Sequence, residues 1–101
     1  MMVRFAPRAL ADLEDIRAYL LPRSPRGAER VRRAIAEAAD RCGHDPRRGT
    51  KTDEPGLYRW PLRKYRYTIF YRPLTTDDGI EVARVIHGAR VKNLRKMPED
   101  E

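Results

Sequence analysis

The sequence predicts a small α+β domain, in which an N-terminal strand and an antiparallel helical hairpin precede three strands of a mainly antiparallel sheet. Apolar residues recur every three or four positions through most of residues 7–43, a spacing typical of amphipathic helices. Aromatic and β-branched residues concentrate between residues 57 and 87, where turn residues divide them into short runs. The length of 101 residues fits a single domain over 1–101 in the order β-α-α-β-β-β.

The first two elements are predicted to be a short edge strand and a helix. Residues 3–5 begin and end with apolar side chains, and Pro7 stops the strand because proline cannot donate a ladder hydrogen bond. Proline suits the first turn of a helix, so this helix is expected to begin at Pro7 and to end before Pro22. Its apolar positions follow the helical period: Leu10, Leu13, Ile16 and Leu20.

The second helix is predicted from its cap and a longer apolar stripe. Ser24 and Pro25 form an N-cap and first-turn pair, and Gly43 is expected to end the helix in a left-handed conformation. Few residues separate the two helices, so they are expected to fold back as an antiparallel hairpin. The stripe repeats at steps of three and four: Ala28, Val31, Ile35, Ala38 and Cys42.

The second half predicts a loop followed by three strands. Residues 44–56 have no hydrophobic period and are predicted to be a loop, whereas strands are expected over 57–62, 66–72 and 80–87. Asp77-Asp78-Gly79 is a turn signal, and a short basic tail starts at about residue 91. Alternation along the second of these strands separates a core face from a polar face: Tyr67, Ile69 and Tyr71 against Arg66, Thr68, Phe70 and Arg72.

The charge distribution indicates an anionic partner. The net charge is +7, and residues 47–96 contain 13 basic and 5 acidic side chains. Counterion release and electrostatic steering favour either a nucleic acid or an acidic protein segment. Charge alone does not choose between these two.

Several classes of protein are excluded by what the sequence lacks. One cysteine cannot form an internal disulfide, and Cys42, His44 and His87 do not have the spacing of a zinc site, so no metal or other cofactor is expected. No apolar run reaches the roughly 18 residues that span a bilayer, so no membrane association is expected and the protein is expected to be cytoplasmic. The sequence contains no carboxylate pair, no serine or cysteine with a supporting histidine and no phosphate-binding glycine loop, so it offers no motif for a hydrolase or a nucleotide-dependent enzyme.

Two kinds of candidate residue remain. His87, at the end of the last predicted strand, is either a general acid or base or a side chain that fixes the sheet end. Arginines on or beside the strands form either an RNA-binding face with stacking aromatics or a solvated sheet face. The arginines are Arg59, Arg63, Arg66, Arg72, Arg84 and Arg90, and the aromatics are Tyr58, Trp60, Tyr65 and Tyr67.

A series of short motifs covers nearly the whole chain. They are Val3-Arg4-Phe5-Ala6-Pro7-Arg8-Ala9 with Asp12-Leu13 and Ile16, Asp45-Pro46-Arg47-Arg48-Gly49, Gly56-Leu57-Tyr58-Arg59, Ile69-Phe70-Tyr71-Arg72, and Arg84-Val85-Ile86-His87-Gly88-Ala89-Arg90. Their order and spacing resemble the RelE/ParE superfamily of toxins from type II toxin–antitoxin modules, in particular its ParE-like branch. The resemblance implies a helical hairpin on an antiparallel sheet and an acidic antitoxin that folds on binding.

The superfamily contains two activities, and the resemblance allows them to be compared residue by residue. RelE-like members cut mRNA on the ribosome with basic side chains on the sheet, whereas ParE-like members inhibit DNA gyrase. The four basic positions of RelE fall on Arg59, Pro61, Thr68 and Arg90, so only two are retained. This favours the ParE-type activity. If the protein were RelE-like, the expected active site would be Arg59, Arg66, His87 and Arg90.

Two binding surfaces are therefore expected. The target-binding surface is assigned to Arg59, His87 and Arg90 with the tail residues Lys92, Arg95 and Lys96. The antitoxin is expected in a groove between the hairpin and the sheet edge, lined by Leu10, Leu13, Ile16 and Leu20 where these are not core. A third possibility is a member of the fold that has lost toxicity and only binds its partner.

Overall fold

The computed structural model describes residues 1–75 and 78–88, which form two helices and five strands. In chain order these are β1 (Met2–Phe5), α1 (Pro7–Leu20), α2 (Pro25–His44), β2 (Thr50–Lys51), β3 (Tyr58–Pro61), β4 (Tyr67–Pro73) and β5 (Gly79–His87). The α+β class and the order of the predicted elements are confirmed. The predicted basic tail lies outside the described residues.

The five strands form one mixed sheet in the order β1-β5-β4-β3-β2. Only β1 and β5 are parallel, with Val3 opposite Ile80, and the other pairs are antiparallel. The predicted edge position of the first strand is confirmed. The ladder between β4 and β5 contains a bulge next to Phe70, so Ala83 has no partner on β4.

The start of each helix follows from its first residues. Ser24 caps α2, since its Oγ accepts a hydrogen bond from the backbone N–H of Gly27 at 2.9 Å. Pro7 and Pro25 occupy the first helical positions, where a missing N–H costs nothing. Both helices begin where the sequence predicts.

The main core lies between the helical hairpin and one face of the sheet, here called the helix face. Tyr58 and Tyr71 stack there, with ring centroids 5.6 Å apart. The apolar stripe of α2 packs against the strands, and the buried members of this core are Ala9, Val31, Ile35, Ala38, Ala39, Cys42, Tyr58, Ile69, Tyr71, Ile80, Val82 and Val85. The opposite side, here called the back face, buries a second and smaller cluster of Leu57, Phe70 and Ile86.

Two glycines allow β1 to approach its neighbours closely. A Cβ on Gly79, whose φ is +137°, would lie 1.8 Å from the carbonyl oxygen of Met2. A Cβ on Gly43 would lie 2.8 Å from Cγ2 of Val3. The predicted left-handed cap at Gly43 is wrong, because α2 continues through this residue to His44, and the glycine is needed for close packing instead.

The segment 44–56 is not entirely a loop, as the sequence had suggested. Thr50 and Lys51 pair with Arg59 and Tyr58 as the short outer strand β2. Two residues are too few to produce a detectable hydrophobic alternation, which is why the sequence gives no sign of this strand. Within the described ranges, no helix is both long and apolar enough to cross a membrane.

Candidate functional site

The back face carries three of the four positions that were compared with the basic residues of RelE, namely Arg59, Pro61 and Thr68. Arg59 on β3 is opposite Phe70 on β4, and Pro61 is opposite Thr68. Side chains opposite each other share a face, so these residues lie on the back face together with Arg72. The predicted division of the β4 side chains between two faces is confirmed, but the second face is not simply polar, because Phe70 and Thr68 are buried there.

At one end of the back face the charges are paired. The Nε of Arg4 lies 3.5 Å from a carboxylate oxygen of Glu81. Arg72, which is opposite Glu81 in the β4–β5 ladder, forms an ion pair with Glu54. These four side chains therefore neutralise one another, and Arg72 is not available to an anionic ligand.

Arg84 is also committed to an internal contact. Its Nε and Nη2 donate to the two carboxylate oxygens of Asp12 at 2.8 and 3.0 Å, and both residues are about nine-tenths buried. The backbone N–H of Val85 donates to the same carboxylate at 2.9 Å. Asp12 lies on α1, beside the part of β5 that extends past the end of β1, so it replaces a missing strand partner.

Cations without acidic partners lie on β3 and in the connection between β3 and β4. Residues 55–75 contain five basic residues and no acidic residue. Apart from Arg72, these are Arg59, Arg63, Lys64 and Arg66, all exposed and without an ion pair to any described residue. We call this group the hairpin-end patch, because three of its members lie in the connection between β3 and β4.

His87 lies at the same end of the sheet but on the helix face. It is opposite Tyr67, whose ring meets the imidazole edge-on at a centroid distance of 5.3 Å. Tyr67 and Phe70 are three residues apart on β4, so His87 and Arg59 lie on opposite faces. The structure thus does not bring these two predicted target-binding residues onto one surface. The remaining four, Arg90, Lys92, Arg95 and Lys96, lie outside the described residues.

The aromatic side chains of the strands do not form an exposed platform. Tyr58 and Tyr71 are buried, and Trp60 and Tyr65 are partly buried against the core. The guanidinium of Arg48 lies 5.4 Å from the centre of the Trp60 ring. The sequence left open an RNA-binding face on which single-stranded bases stack. Within the part of the chain described here, none of these strand residues offers an exposed ring for such stacking.

The hydroxyl of Tyr71 is part of a buried polar contact that the sequence did not indicate. It donates to the carbonyl of Pro46 at 2.8 Å and accepts from the N–H of Gly49 at 2.9 Å, which holds the chain that enters β2. Burial raises the pKa of Tyr71, and burial likewise raises the pKa of the nearby Cys42 thiol to about 11. Both groups are therefore protonated at neutral pH.

A groove of about 760 Å³ lies between α1 and α2 and reaches Phe5 of β1. Leu10, Leu13 and Ile16 are among its apolar lining residues, whereas Leu20 packs against the main core and does not line it. The charged residues that line it are Glu14 and Arg17 on α1 and Glu29 and Arg32 on α2. Leu10 is 54% exposed, so apolar surface is available in this groove.

Residues 3–92 match the family described as the ParE toxin of type II toxin–antitoxin systems, parDE, and the chain belongs to this family. The predicted resemblance to the ParE-like branch is confirmed. No curated protein matches the sequence.

A similar solved structure comes from a chromosomal ParDE toxin–antitoxin system of P. aeruginosa. It superposes with a TM-score of 0.71 and covers 86% of this chain and 95% of the other, at 19% sequence identity. At this identity the similarity establishes the fold. Membership in a ParDE system implies a cognate antitoxin as partner.

Proposed function

We propose that this ParE-family toxin arrests growth by inhibiting DNA gyrase and is neutralised by an antitoxin bound in the α1–α2 groove. The observation that carries the first part is the chemistry of the back face. A ribonuclease of the RelE type needs cations beside the scissile phosphate, and two of the corresponding positions are Pro61 and Thr68. Proline carries no charge, and Thr68 is 8% exposed.

The remaining candidates for a nuclease site do not compensate for these losses. Loss of charge stabilisation at a reacting phosphate costs orders of magnitude in rate. Within the β4–β5 ladder, Arg84 is the cation nearest to the uncharged position Thr68. Its guanidinium is already hydrogen-bonded to the carboxylate of Asp12. Arg59 and His87 lie on opposite faces of the sheet, so they cannot act on one phosphate together. A target other than mRNA is therefore better supported.

The proposed target-binding site is the end of β5 and the chain that follows it. His87 ends β5, and Arg90, Lys92, Arg95 and Lys96 come directly after it in the sequence. A partly buried imidazole next to a run of cations suits a protein surface with exposed carboxylates. Arg59 does not belong to this group, because its side chain is on the back face.

The proposed antitoxin site rests on the exposed apolar lining of the groove and on its charged rim. A segment in this groove would cover Leu10 and Leu13 and would approach Arg17 at the rim, where Arg32 is already paired with Glu29. The length of α1, 14 residues, corresponds to about 21 Å, which accommodates an amphipathic helix of four turns. An acidic segment that folds on binding matches the net charge of +7.

The experiment that tests this function is expression without antitoxin, followed by a supercoiling assay on the purified chain. The expected result is growth arrest and loss of gyrase supercoiling, both reversed by the cognate antitoxin. The variants His87→Ala and Arg90→Ala are expected to reduce both effects, whereas Arg26→Ala, an exposed position on α2, is expected to retain them. Full toxicity in both site variants would refute the proposed target site. Normal growth with soluble wild-type chain would favour a non-toxic binding member of the family.

A further inference from the structure

We propose that the hairpin-end patch (Arg59, Arg63, Lys64 and Arg66) binds the phosphate backbone of duplex DNA without sequence specificity. This inference goes beyond gyrase inhibition and does not depend on it. It starts from the uneven pairing of charges on the sheet. At one end the cations have acidic partners, namely Arg4 with Glu81 and Arg72 with Glu54. On β3 and in the connection that follows it, four exposed cations have none among the described residues.

The patch is compact enough to contact one stretch of backbone. Arg59 is opposite Phe70, and Phe70 lies four residues from Arg66 along the chain. At about 3.3 Å per residue these positions are about 13 Å apart along the strand direction. Duplex DNA carries one negative charge per about 1.7 Å of its axis, so several phosphates fall within this distance. Three of the four cations are arginines, whose planar fork suits phosphate oxygens.

The surroundings of the patch favour nucleic acid over a protein partner. The centre of a protein interface is an apolar area that loses its water on binding. The large apolar side chains exposed in the described ranges are Met1, Met2, Leu10, Tyr19 and Leu21, and all of them lie before α2. None is on β3, β4 or the connection between them. The patch thus offers charge without an apolar centre, which is the composition of a backbone contact.

The same residues favour a duplex over a single strand. Proteins that bind single strands combine cations with aromatic rings on which the bases stack. The rings nearest to the patch are buried or partly buried against the core, and the exposed ring of Tyr19 is on α1. Contacts to phosphates alone do not require the bases to be accessible.

The salt dependence of binding provides a quantitative test. For B-DNA the logarithm of the affinity falls with the logarithm of the salt concentration with a slope of about −0.9 per neutralised phosphate. If all four cations contact phosphates, raising the salt from 50 to 200 mM weakens binding by about 150-fold. With two cations removed the same change weakens binding by about 12-fold.

The experiment measures binding of the full chain to a 30-base-pair duplex by fluorescence anisotropy at several salt concentrations. The variant Arg63→Ala/Lys64→Ala is compared with Arg26→Ala/Arg30→Ala, which removes the same charge from exposed positions on α2. Circular dichroism confirms that each variant is folded. We expect the first variant to lower the slope by about 2 and the second to leave it unchanged.

Three results would overturn the proposal. The first is an equal loss of slope in both double variants, which would show that only net charge matters. The second is tighter binding to a single strand of the same length. The third is binding to a poly-glutamate peptide but not to the duplex, which would identify an acidic protein as the partner. The assay contains no gyrase, so its outcome is separate from that of the supercoiling assay.

Discussion

The carboxylate of Asp12 on α1 holds the guanidinium of Arg84 on β5 through two hydrogen bonds of 2.8 and 3.0 Å. The two residues are 72 positions apart in the sequence. Their pairing joins the helix that lines the groove to the strand that ends at His87. The same carboxylate accepts the N–H of Val85, so α1 closes the part of the β5 edge that β1 does not cover. This contact fixes the hairpin on the sheet.

Replacement of Asp12 is expected to destabilise the fold strongly. In Asp12→Ala the buried guanidinium of Arg84 loses its counterion and the N–H of Val85 loses its acceptor, so we expect a loss of about 3–5 kcal/mol in the free energy of unfolding. The exposed neighbour Asp15 serves as control, and Asp15→Ala is expected to change stability by less than about 0.5 kcal/mol. Urea unfolding measures both. Similar midpoints for the two variants would show that the buried pair does not stabilise the hairpin.

A methyl group at Gly79 is expected to displace β1 from β5. The added Cβ of Gly79→Ala would collide with the backbone of Met2, which cannot move without breaking the parallel ladder. Gly56 is a matched control, since its φ is +79° but its Cβ would meet no atom within 4 Å. We expect Gly56→Ala to cost about 1–2 kcal/mol from backbone strain alone, and Gly79→Ala clearly more. Equal losses in thermal unfolding would contradict the close approach of β1.

The fold was largely predictable from the sequence because its signals are local. The apolar stripe of α2 repeats every three or four residues, and Ser24-Pro25 is a capping pair of adjacent residues. Together they define the helix without knowledge of the rest of the chain. The left-handed cap predicted at Gly43 is wrong because a glycine near a helix end suits either a left-handed cap or a close contact. Only the position of Val3 against α2 decides between these, and that contact joins distant parts of the chain.

The candidate site was less predictable, because tertiary contacts determine which of its cations are paired with acidic residues and which remain unpaired. Arg72 and Arg84 look like free cations in the sequence, yet Glu54 and Asp12 neutralise them from other elements. The separation of Arg59 from His87 depends on the register of three strands, which the sequence alone does not fix. The groove was predicted at the sheet edge through the spacing of Leu10, Leu13 and Ile16, but its second wall is α2.

Alkaline pH is expected to destabilise the protein through Cys42. Its pKa is raised to about 11 by burial, compared with about 8.5 for an unfolded thiol. The folded state therefore retains this proton above pH 8.5, whereas the unfolded state releases it. The contribution of Cys42 to the free energy of unfolding is complete below pH 8.5. It is lost as the pH rises, with a slope of up to about 1.4 kcal/mol per pH unit.

The measurement is urea unfolding between pH 8.5 and 9.5, below the pKa of about 10 at which unfolded tyrosines become half ionised. The control variant Cys42→Ala is expected to show a flatter pH dependence over this range. The same slope in both proteins would mean that another group causes the loss of stability.

A charge in the α1–α2 groove is expected to prevent antitoxin binding without affecting the fold. Leu10 lines the groove and is 54% exposed, so Leu10→Asp places a carboxylate where an acidic segment would bind. Tyr19→Asp is the matched control, because Tyr19 is 58% exposed on the same helix but is not among the groove residues. Isothermal titration calorimetry with the cognate antitoxin should show at least about tenfold weaker binding for the first variant only. Equal affinities would place the antitoxin elsewhere.

The most direct test of gyrase inhibition is a pair of assays on the purified, antitoxin-free chain. One follows supercoiling of relaxed plasmid by gyrase, and the other follows cleavage of mRNA on programmed ribosomes. We expect the chain to inhibit supercoiling and to leave the mRNA intact. Cleavage of mRNA at defined codon positions, with supercoiling unaffected, would contradict the account and would make Arg59, Arg66, His87 and Arg90 the residues to examine as a nuclease site.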